Sequence, residues 1–301
     1  MNAYTTILNV YRSTLKRFPF LHRFVYLVGE KVVELTEHWK HFLTDPTDPL
    51  YHRVELLLGL YETGSSRVVK RIVRPGDICL DIGANVGYYT RLISDLIGSS
   101  GKVIAFEPHP QVFSLLQKNV GYRPNVYLLP KAASDRVGRI DIYETPLGSS
   151  GTSILQSRSS MIPASIEKEL YPRARERKRD VYQVETITVD EALTSLGIKQ
   201  VNFVKMDIEG AEILALRGMV KTLYQSSQVS LLIEYYPDVQ VAAGFNRLDM
   251  LNELYALSFD RISVISGSSA PIPISEFIGA DGMPKITGTV NLLCQKGDLM
   301  I

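Results

Sequence analysis

The fold of this chain is decided by one stretch, ICLDIGANVGYYT at residues 78–90, in which an apolar strand runs into a glycine-rich turn and a helix. Gly83 and Gly87 let a ligand approach the backbone, and the start of the helix presents unpaired N–H groups to it. A dinucleotide-binding turn has the pattern Gly-x-Gly-x-x-Gly, whereas Asn85 stands here in place of the second glycine. The turn therefore disfavours a pyrophosphate, and Asp81 before it favours a ligand with a cationic ammonium group.

A second carboxylate follows at the end of the next predicted strand. Glu107 lies in the segment AFEP at residues 105–108, twenty residues after Gly87. At such a strand end a carboxylate can accept hydrogen bonds from both hydroxyls of a ribose. The glycine turn and the glutamate together predict a site for a nucleoside joined to an amino acid. The alternative is an ordinary strand–helix–strand turn with a surface glutamate.

Further along the chain, predicted strands and helices alternate, which is typical of a parallel sheet with helices on both faces. The alternation stops between about residues 135 and 188, where short strand-like pieces predict an antiparallel insertion. A Gly/Ser-rich loop at residues 148–153 is either a flexible linker or a lid over the ligand. A basic run at residues 173–180 is either a solvated face or a contact for an anionic acceptor or lipid surface.

The beginning of the chain has a different pattern. Residues 4–43 place apolar side chains at helical spacings of three and four, and two prolines then break any helix. We therefore predict a helical arm and linker over residues 1–50 and a main domain over residues 51–301.

The apolar face of the arm, residues 1–43, must be covered by something. It is expected to pack on the main domain or on a second subunit of a homodimer, or to make a peripheral contact with a membrane through its basic residues. Glu30, Glu34 and Glu37 dilute the positive charge of its second half, which favours packing.

The composition is that of a soluble globular protein, with 45% hydrophobic and 22% charged residues. A net charge of +1 predicts no nucleic-acid partner. Two cysteines, Cys79 and Cys294, form neither a disulfide framework nor a four-ligand zinc site, and they favour a cytoplasmic setting. The sequence contains no apolar stretch long enough to predict a transmembrane segment, and its first residues do not resemble a signal peptide.

Several segments together resemble the FkbM-type methyltransferases. The narrowest match is VKMDIEGAE at residues 204–212, because the turn DIGANVG is shared with many other methyltransferases. The resemblance covers about residues 61–294. The segments that carry it are DIGANVG at 81–87, AFEP at 105–108, KAAS at 131–134, TITVD at 186–190 and VKMDIEGAE at 204–212.

The resemblance implies an α/β fold with the Rossmann-like, seven-stranded sheet of class I methyltransferases, and S-adenosylmethionine as methyl donor. It implies O-methylation of a hydroxyl on a small molecule, a sugar or other carbohydrate, a glycolipid or a natural product. A non-catalytic domain that binds S-adenosylmethionine or a nucleoside is the alternative, and a nicotinamide-dependent oxidoreductase is disfavoured by the missing glycine. The predicted cofactor-binding residues are Asp81, Gly83, Asn85, Gly87, Glu107, Pro108, Ala133, Ser134 and Asp207.

Three acidic residues are candidates for the chemistry. Asp207, Glu209 and Glu234 follow or end two predicted strands, and ligands of open α/β sheets lie at that edge. Transfer to an alcohol needs a base for its proton or a metal that lowers its pKa. The three carboxylates could supply the base, and Asp207 with Glu234 could instead hold Mg²⁺. The alternative for Asp207 is to cap the next helix.

The histidines and cysteines are expected to be structural. His109 is expected at the surface at a helix start, and His22, His38, His41 and His52 at solvated positions of the arm and linker. In a methyltransferase sheet, two strands would separate Cys79 from Cys294, so these residues should not bridge.

Overall fold

The computed structural model describes residues 19–145, 148–155, 180–265, 272–279, 285–286 and 288–297. Two short 3₁₀ helices, at Gly98–Ser100 and Ile274–Phe277, accompany the α-helices and strands. The α-helices are α1 (Pro19–Lys40), α2 (Leu50–Leu58), α3 (Thr63–Ile72), α4 (Tyr88–Ile97), α5 (Pro110–Val120), α6 (Val189–Ser195), α7 (Glu212–Arg217), α8 (Val220–Gln225), α9 (Pro237–Ala242) and α10 (Asp249–Ala256). The strands are β1 (Ile78–Ile82), β2 (Lys102–Phe106), β3 (Val126–Leu129), β4 (Ala132–Ala133), β5 (Gly138–Thr145), β6 (Gly148–Ser153), β7 (Val181–Ile187), β8 (Phe203–Met206), β9 (Val229–Tyr235), β10 (Arg261–Ile265), β11 (Ile272–Pro273) and β12 (Val290–Lys296).

The central sheet has the strand order β11-β10-β12-β9-β8-β1-β2-β3. β1 is parallel to both β2 and β8, while β12 is antiparallel to both β9 and β10. This confirms the predicted α/β, Rossmann-like sheet of seven strands, to which the two-residue β11 adds an edge. β1 and β8 are almost wholly buried, because a parallel sheet is covered on both faces.

The position of the cysteines follows from this order. Cys79 on β1 and Cys294 on β12 have β8 and β9 between them, and both thiols are free and buried. The prediction that they do not bridge is confirmed. Both behave as small apolar core residues.

The segment between β3 and α6 forms a second sheet, with the order β4-β7-β5-β6. β5 pairs antiparallel with β6 and β7, and β4 pairs parallel with β7. The stretch 148–153, predicted as a loop, is the strand β6, so that prediction of its conformation is wrong: main-chain pairing with β5 outweighs its Gly/Ser composition. Apart from Asp180, the basic run 173–180 lies outside the described residues.

Helix α1 is joined to the domain through its polar side rather than its apolar stripe. The buried Arg53 of α2 donates to Glu30 at 2.8 Å, to the Thr44 hydroxyl at 2.8 Å and to Glu37 at 3.4 Å. Val33 is the buried apolar residue of this side. The arm therefore docks through a partly buried ion-pair network. Among the described helices, none is long and apolar enough to cross a membrane.

The stretch between α1 and α2, predicted as part of a linker, packs against the domain. Asn119 of α5 accepts from the Leu43 N–H at 2.7 Å and donates to the Leu43 carbonyl at 2.8 Å. The same amide donates to the Val86 carbonyl at 2.7 Å. Thr44 and Asp45 are buried beside it. One side chain thus connects the arm to the glycine turn.

Replacing Arg53 tests how the arm is held. Arg53→Ala leaves the carboxylates of Glu30 and Glu37 without their cation, so we expect the free energy of unfolding to fall by about 2–4 kcal/mol. Urea denaturation of the full chain measures this loss. Lys70→Ala, at an exposed position of α3, is the control and should change stability by less than about 0.5 kcal/mol. Equal stability of the two variants would show that the network does not hold the arm.

Candidate active site

Three strand ends meet at the glycine turn after β1. Gly83 has a φ of 84°, and a Cβ on it would lie 1.9 Å from the Asp207 carbonyl oxygen. The N–H groups of Gly83 and Ala84 both donate to the Phe106 carbonyl, and the Asp207 N–H donates to the Ile82 carbonyl at 3.0 Å. Gly83 therefore lets the loop after β8 touch the turn. This contact lies within the protein, whereas the sequence suggested an approach to the ligand.

Glu107 is held by the backbone around this turn. Its two carboxylate oxygens accept from the Asn85 N–H at 2.9 Å and the His109 N–H at 2.8 Å. Asn85 adopts a left-handed conformation, with a φ of 49°, that directs its N–H to the glutamate. Burial raises the pKa of Glu107 to about 7, although these two hydrogen bonds act to lower it. Each oxygen keeps a second lone pair, so the group can accept two hydroxyls of a ribose.

The predicted catalytic acids come together at the same edge of the sheet. Asp207, Glu209 and Glu234 each offer a carboxylate oxygen, and these oxygens lie within 4.8 Å of one another. Asp207 and Glu209 follow β8, and Glu234 lies near the end of its neighbour β9. Because both strands run in parallel, their carboxyl ends share one edge.

Asp207 does not cap the following helix. The N-cap of α7 is Ala211, which makes no side-chain capping hydrogen bond. Glu212 accepts instead from the N–H groups of Ile208 and Gly210, at 3.1 and 3.0 Å. Glu212 is buried and holds this loop in place through these hydrogen bonds. The Asp207 side chain, which does not cap the helix, lines the cavity.

A buried lysine pairs with Asp207. Lys205 of β8 places its Nζ 2.8 Å from the Asp207 carboxylate and 5.1 Å from the centre of the Tyr89 ring. Burial by itself lowers the pKa of Lys205, but the carboxylates of Asp207, Glu62 and Asp81 together raise it above its ordinary value. The ammonium therefore stays charged and holds the Asp207 side chain in place.

Aromatic side chains of α2, of α4 and of the segment between α2 and α3 form another wall of the cavity. His52 and Tyr61 meet edge to face at 5.0 Å, and Tyr61 meets Tyr88 in the same way at 5.6 Å. The Tyr89 hydroxyl donates to Glu62 at 2.8 Å. Burial lowers the pKa of His52 to about 4, although the charge of Asp207 acts to raise it. The imidazole is thus neutral near pH 7, and burial disfavours its protonated form.

Strand β6 closes the opposite side of the cavity. Thr152, Ser153 and Ile154 line it, and the Ser153 hydroxyl donates to the Glu209 carbonyl at 2.6 Å. Glu209 has a φ of 57°, so this bond supports a left-handed residue beside the acids. The predicted lid position is therefore occupied by an ordered strand that touches the acidic loop.

Most of the predicted site residues line one cavity of the described structure. Three of them do not. Asp81 is buried beneath the turn, where it accepts from the Thr90 hydroxyl at 2.5 Å. Gly87 begins α4, and a Cβ there would lie 2.8 Å from Leu116. Ser134 is buried and donates its N–H to the Ile187 carbonyl. Those that line the cavity are Gly83, Asn85, Glu107, Pro108, Ala133, Asp207, Glu209 and Glu234.

Two of the expectations for histidines are wrong. His109 is 2% exposed, caps α5 by accepting from the Val112 N–H, and lies 3.0 Å from Glu144. His52 lines the cavity because α2 turns it inward, next to Tyr61. His38 and His41 are exposed as expected, while the side chain of His22 lies outside the described residues.

Lys205, a charged residue inside the apolar strand FVKM, was not among the predicted site residues. A lysine in a buried strand needs a carboxylate partner, and that signal was present in the sequence. Tyr61, Tyr89 and His52 carried no comparable signal, because aromatic residues at helical positions usually belong to a core.

Comparison with known proteins decides the family. The model of the family described as the methyltransferase FkbM domain matches residues 81–258, more than half of the chain. The chain belongs to this family. It is an S-adenosylmethionine-dependent methyltransferase, and the alternative of a non-catalytic binding domain is not supported.

Two curated relatives of this FkbM methyltransferase are distant in sequence. The hexuronic acid methyltransferase AglP of Haloferax volcanii is 25% identical over 193 residues, which are 64% of this chain and 69% of that protein. The 2-O-methyltransferase NoeI of Sinorhizobium fredii is 27% identical over 186 residues, 60% of this chain and 74% of that protein. Among solved structures, an O-methyltransferase of Thermotoga maritima is 16% identical, covering 80% of this chain and 67% of its own, with a TM-score of 0.42.

The contact at Gly83 gives the first test of this site. Gly83→Ala pushes the Asp207 loop away from the turn, so we expect donor binding to weaken at least about tenfold and stability to fall by about 2–4 kcal/mol. Calorimetry and urea denaturation measure the two effects. Gly197→Ala is a matched control, because Gly197 has a φ of 68° with open space around it. The control should lose about 1–2 kcal/mol and keep its donor affinity. Normal donor affinity in Gly83→Ala would contradict the role of this contact.

The raised pKa of Glu107 predicts a pH dependence of donor binding. A ribose that donates two hydroxyls favours the carboxylate, so the free site must lose a proton below about pH 7 before it binds. Affinity should therefore rise up to about tenfold between pH 6 and pH 8, measured by calorimetry. Glu107→Gln should bind about 1–3 kcal/mol more weakly and show no such rise. An unchanged pH profile in that variant would exclude Glu107 as the titrating group.

Proposed function

We propose that this methyltransferase transfers a methyl group to a hydroxyl oxygen of a carbohydrate, a glycolipid or a natural product with several hydroxyls. The observation that carries the proposal is the cluster of Asp207, Glu209 and Glu234 in the cavity that contains the glycine turn. Two relatives support it, since their names give a hexuronic acid and an oxygen as what they methylate.

The donor half of the cavity is formed by the ends of β1, β2 and β4. Gly83 and Asn85 form the turn, Glu107 accepts the ribose hydroxyls, and Pro108 and Ala133 provide apolar surface. The orientation of the Glu107 oxygens by two backbone N–H groups fits a ribose, which is the feature of S-adenosylmethionine that this site can recognise. When bound, the donor supplies a methyl carbon that is already activated by a sulfonium.

The acceptor half must remove a proton from an alcohol. We assign Asp207 as the base, because Lys205 fixes one of its oxygens and the cavity exposes the side chain. As the acceptor oxygen bonds to the methyl carbon, its proton goes to the Asp207 carboxylate and the carbon–sulfur bond electrons stay on sulfur. The neutral imidazole of His52 also lines this cavity and is the alternative base.

Glu209 and Glu234 are proposed to orient the acceptor. A sugar carries several neighbouring hydroxyls, and two further carboxylates can accept hydrogen bonds from those that do not react. In the alternative role, Asp207 and Glu234 would hold Mg²⁺, since hard cations prefer oxygen ligands. With the Lys205 ammonium on one Asp207 oxygen, a metal would use the other.

Asp207→Asn tests the assignment of the base. The amide keeps the shape and removes the proton-accepting charge, so turnover should fall at least about 100-fold while the donor still binds. Transfer of label from S-adenosylmethionine measures turnover, and calorimetry measures donor binding. Asp141→Asn, on the exposed side of β5, is the control and should behave as wild type. Full turnover in Asp207→Asn would move the base to another group, with His52→Ala as the next variant.

A chelator distinguishes the two proposed roles of the acidic cluster, which are direct action of the carboxylates on the acceptor and binding of Mg²⁺. If the carboxylates act directly, turnover should be insensitive to a chelator. If turnover is lost with a chelator and restored by Mg²⁺, Asp207 and Glu234 act as metal ligands instead.

The bond that is formed identifies the acceptor group. Purified protein with labelled donor is tested on sugars, hexuronic acids, oligosaccharides and a lipid extract. A methyl ether on a hydroxyl survives mild alkali, whereas a methyl ester on a carboxylate releases labelled methanol. Alkali-stable label on a hydroxyl is the expected result, and alkali-labile label would show that the proposed acceptor group is wrong.

A further inference from the structure

The outer face of α1 carries a continuous apolar surface that nothing in the described structure covers. Its exposed large side chains, from 47% for Val28 to 84% for Phe20, fall within an arc of about 140° around the helix. The opposite side of α1 is the one that packs on the domain, through Val33, Glu30 and Glu37. The exposed face consists of Phe20, Phe24, Leu27, Val28, Val32, Leu35 and Trp39.

The charges on α1 are divided between its two sides. Glu30 and Glu37 bind Arg53 on the inner side, so they no longer offset the basic residues of the outer face. Arg23 is exposed at one edge of that face, and Lys31, 76% exposed, lies within it. Of the three acids of α1, only Glu34, the partner of Lys31, therefore offsets the positive charge of the outer face.

The sequence before and within α1 is also basic. Residues 1–29 contain four basic residues and no acidic residue. The basic residues are Arg12, Lys16, Arg17 and Arg23. An apolar stripe next to excess positive charge is typical of a helix that lies in the interface of an anionic membrane.

We infer that the outer face of α1 binds the surface of a membrane that contains anionic lipid. Phe20, Phe24 and Trp39 would enter the region between headgroups and acyl chains, where aromatic side chains are favoured. Lys31 extends from within the stripe and can reach the phosphates with its ammonium while its methylenes stay among the acyl chains.

A second copy of the chain is a poorer occupant of this face. Two α1 helices that cross antiparallel at their midpoints bring the Lys31 residues of both copies together in an apolar contact. Each Lys31 is paired with Glu34, and removing these ion pairs from water in such an interface is costly. At a membrane the same residue meets a phosphate.

The membrane-binding face adjoins the active site. A groove beside it is lined by Trp39, Leu57 and Leu58, and Leu56 and Tyr88 line both this groove and the active-site cavity. The donor cavity would thus lie next to the lipid surface, which suits a glycolipid acceptor. Membrane binding itself does not rest on the proposed acceptor.

Trp39 provides a direct test, because it is the single tryptophan of the sequence and is 78% exposed. The full chain is mixed with phosphatidylcholine vesicles with and without phosphatidylglycerol. Trp39 emission should shift to shorter wavelength with the anionic vesicles, the protein should sediment with them, and added salt should reverse both effects. No shift and no sedimentation with anionic vesicles would overturn the proposal.

Variants locate the binding surface. Phe24→Glu combined with Leu35→Glu should abolish vesicle binding, and Arg23→Gln with Lys31→Gln should weaken it about five-fold per residue. Tyr255→Glu changes an exposed aromatic residue of α10 and is the matched control that should bind normally. All variants should keep wild-type affinity for S-adenosylmethionine, which shows that they are folded and separates this test from that of the acceptor.

Sedimentation without lipid distinguishes the competing occupant. The expected result is a monomer with Trp39 emission typical of an exposed indole. If the chain is instead a dimer with Trp39 already shielded, and the Phe24→Glu and Leu35→Glu variant is a monomer, the face is a subunit interface and the proposal is wrong.

Discussion

The close approach of Gly83 to the Asp207 carbonyl is the constraint on which the active site depends. A side chain at position 83 would occupy the space of that carbonyl oxygen, so the turn after β1 and the loop after β8 touch only because the residue is glycine. The Asp207 N–H binds the Ile82 carbonyl and the Gly83 N–H binds the Phe106 carbonyl. The ends of β1, β2 and β8 are thereby joined, and Glu107 shares one cavity with the acidic cluster of Asp207, Glu209 and Glu234.

The Lys205 ammonium balances the negative charge at this junction. Lys205 lies opposite Asp81 in the pairing of β8 with β1 and binds Asp207 through its ammonium. Burial raises the pKa of Asp81, an effect that Lys205 opposes. An uncompensated charge in this part of the sheet would be costly, so the lysine and the two aspartates stabilise one another. Asp81 was predicted from the sequence to favour a ligand with an ammonium group. In the structure its buried side chain lies beneath the glycine turn and accepts from the Thr90 hydroxyl.

The arm contributes to the site as well as to the surface. Its connection to α2 passes under Asn119, which also holds the carbonyl of Val86 in the glycine turn. α2 then places His52 and Leu56 in the cavity wall. The predicted arm and linker therefore contact the methyltransferase domain through one side of α1, and no described residue covers the opposite side.

By itself, the sequence determined the order of strands and helices, the glycine turn, the strand-end glutamate and the acidic motif, because each depends on local spacing and on the period of apolar residues. It thus predicted the sheet and eight of the residues that line the cavity. Only the tertiary structure decided which side of α1 is buried, that Asp81 lies below the cavity, and that His52, Tyr61 and Lys205 belong to the site. Those outcomes depend on contacts between residues far apart in the chain. An amphipathic pattern shows that a helix has a distinct apolar side. Which side of α1 packs is decided by its hydrogen bonds with Arg53 on the neighbouring helix.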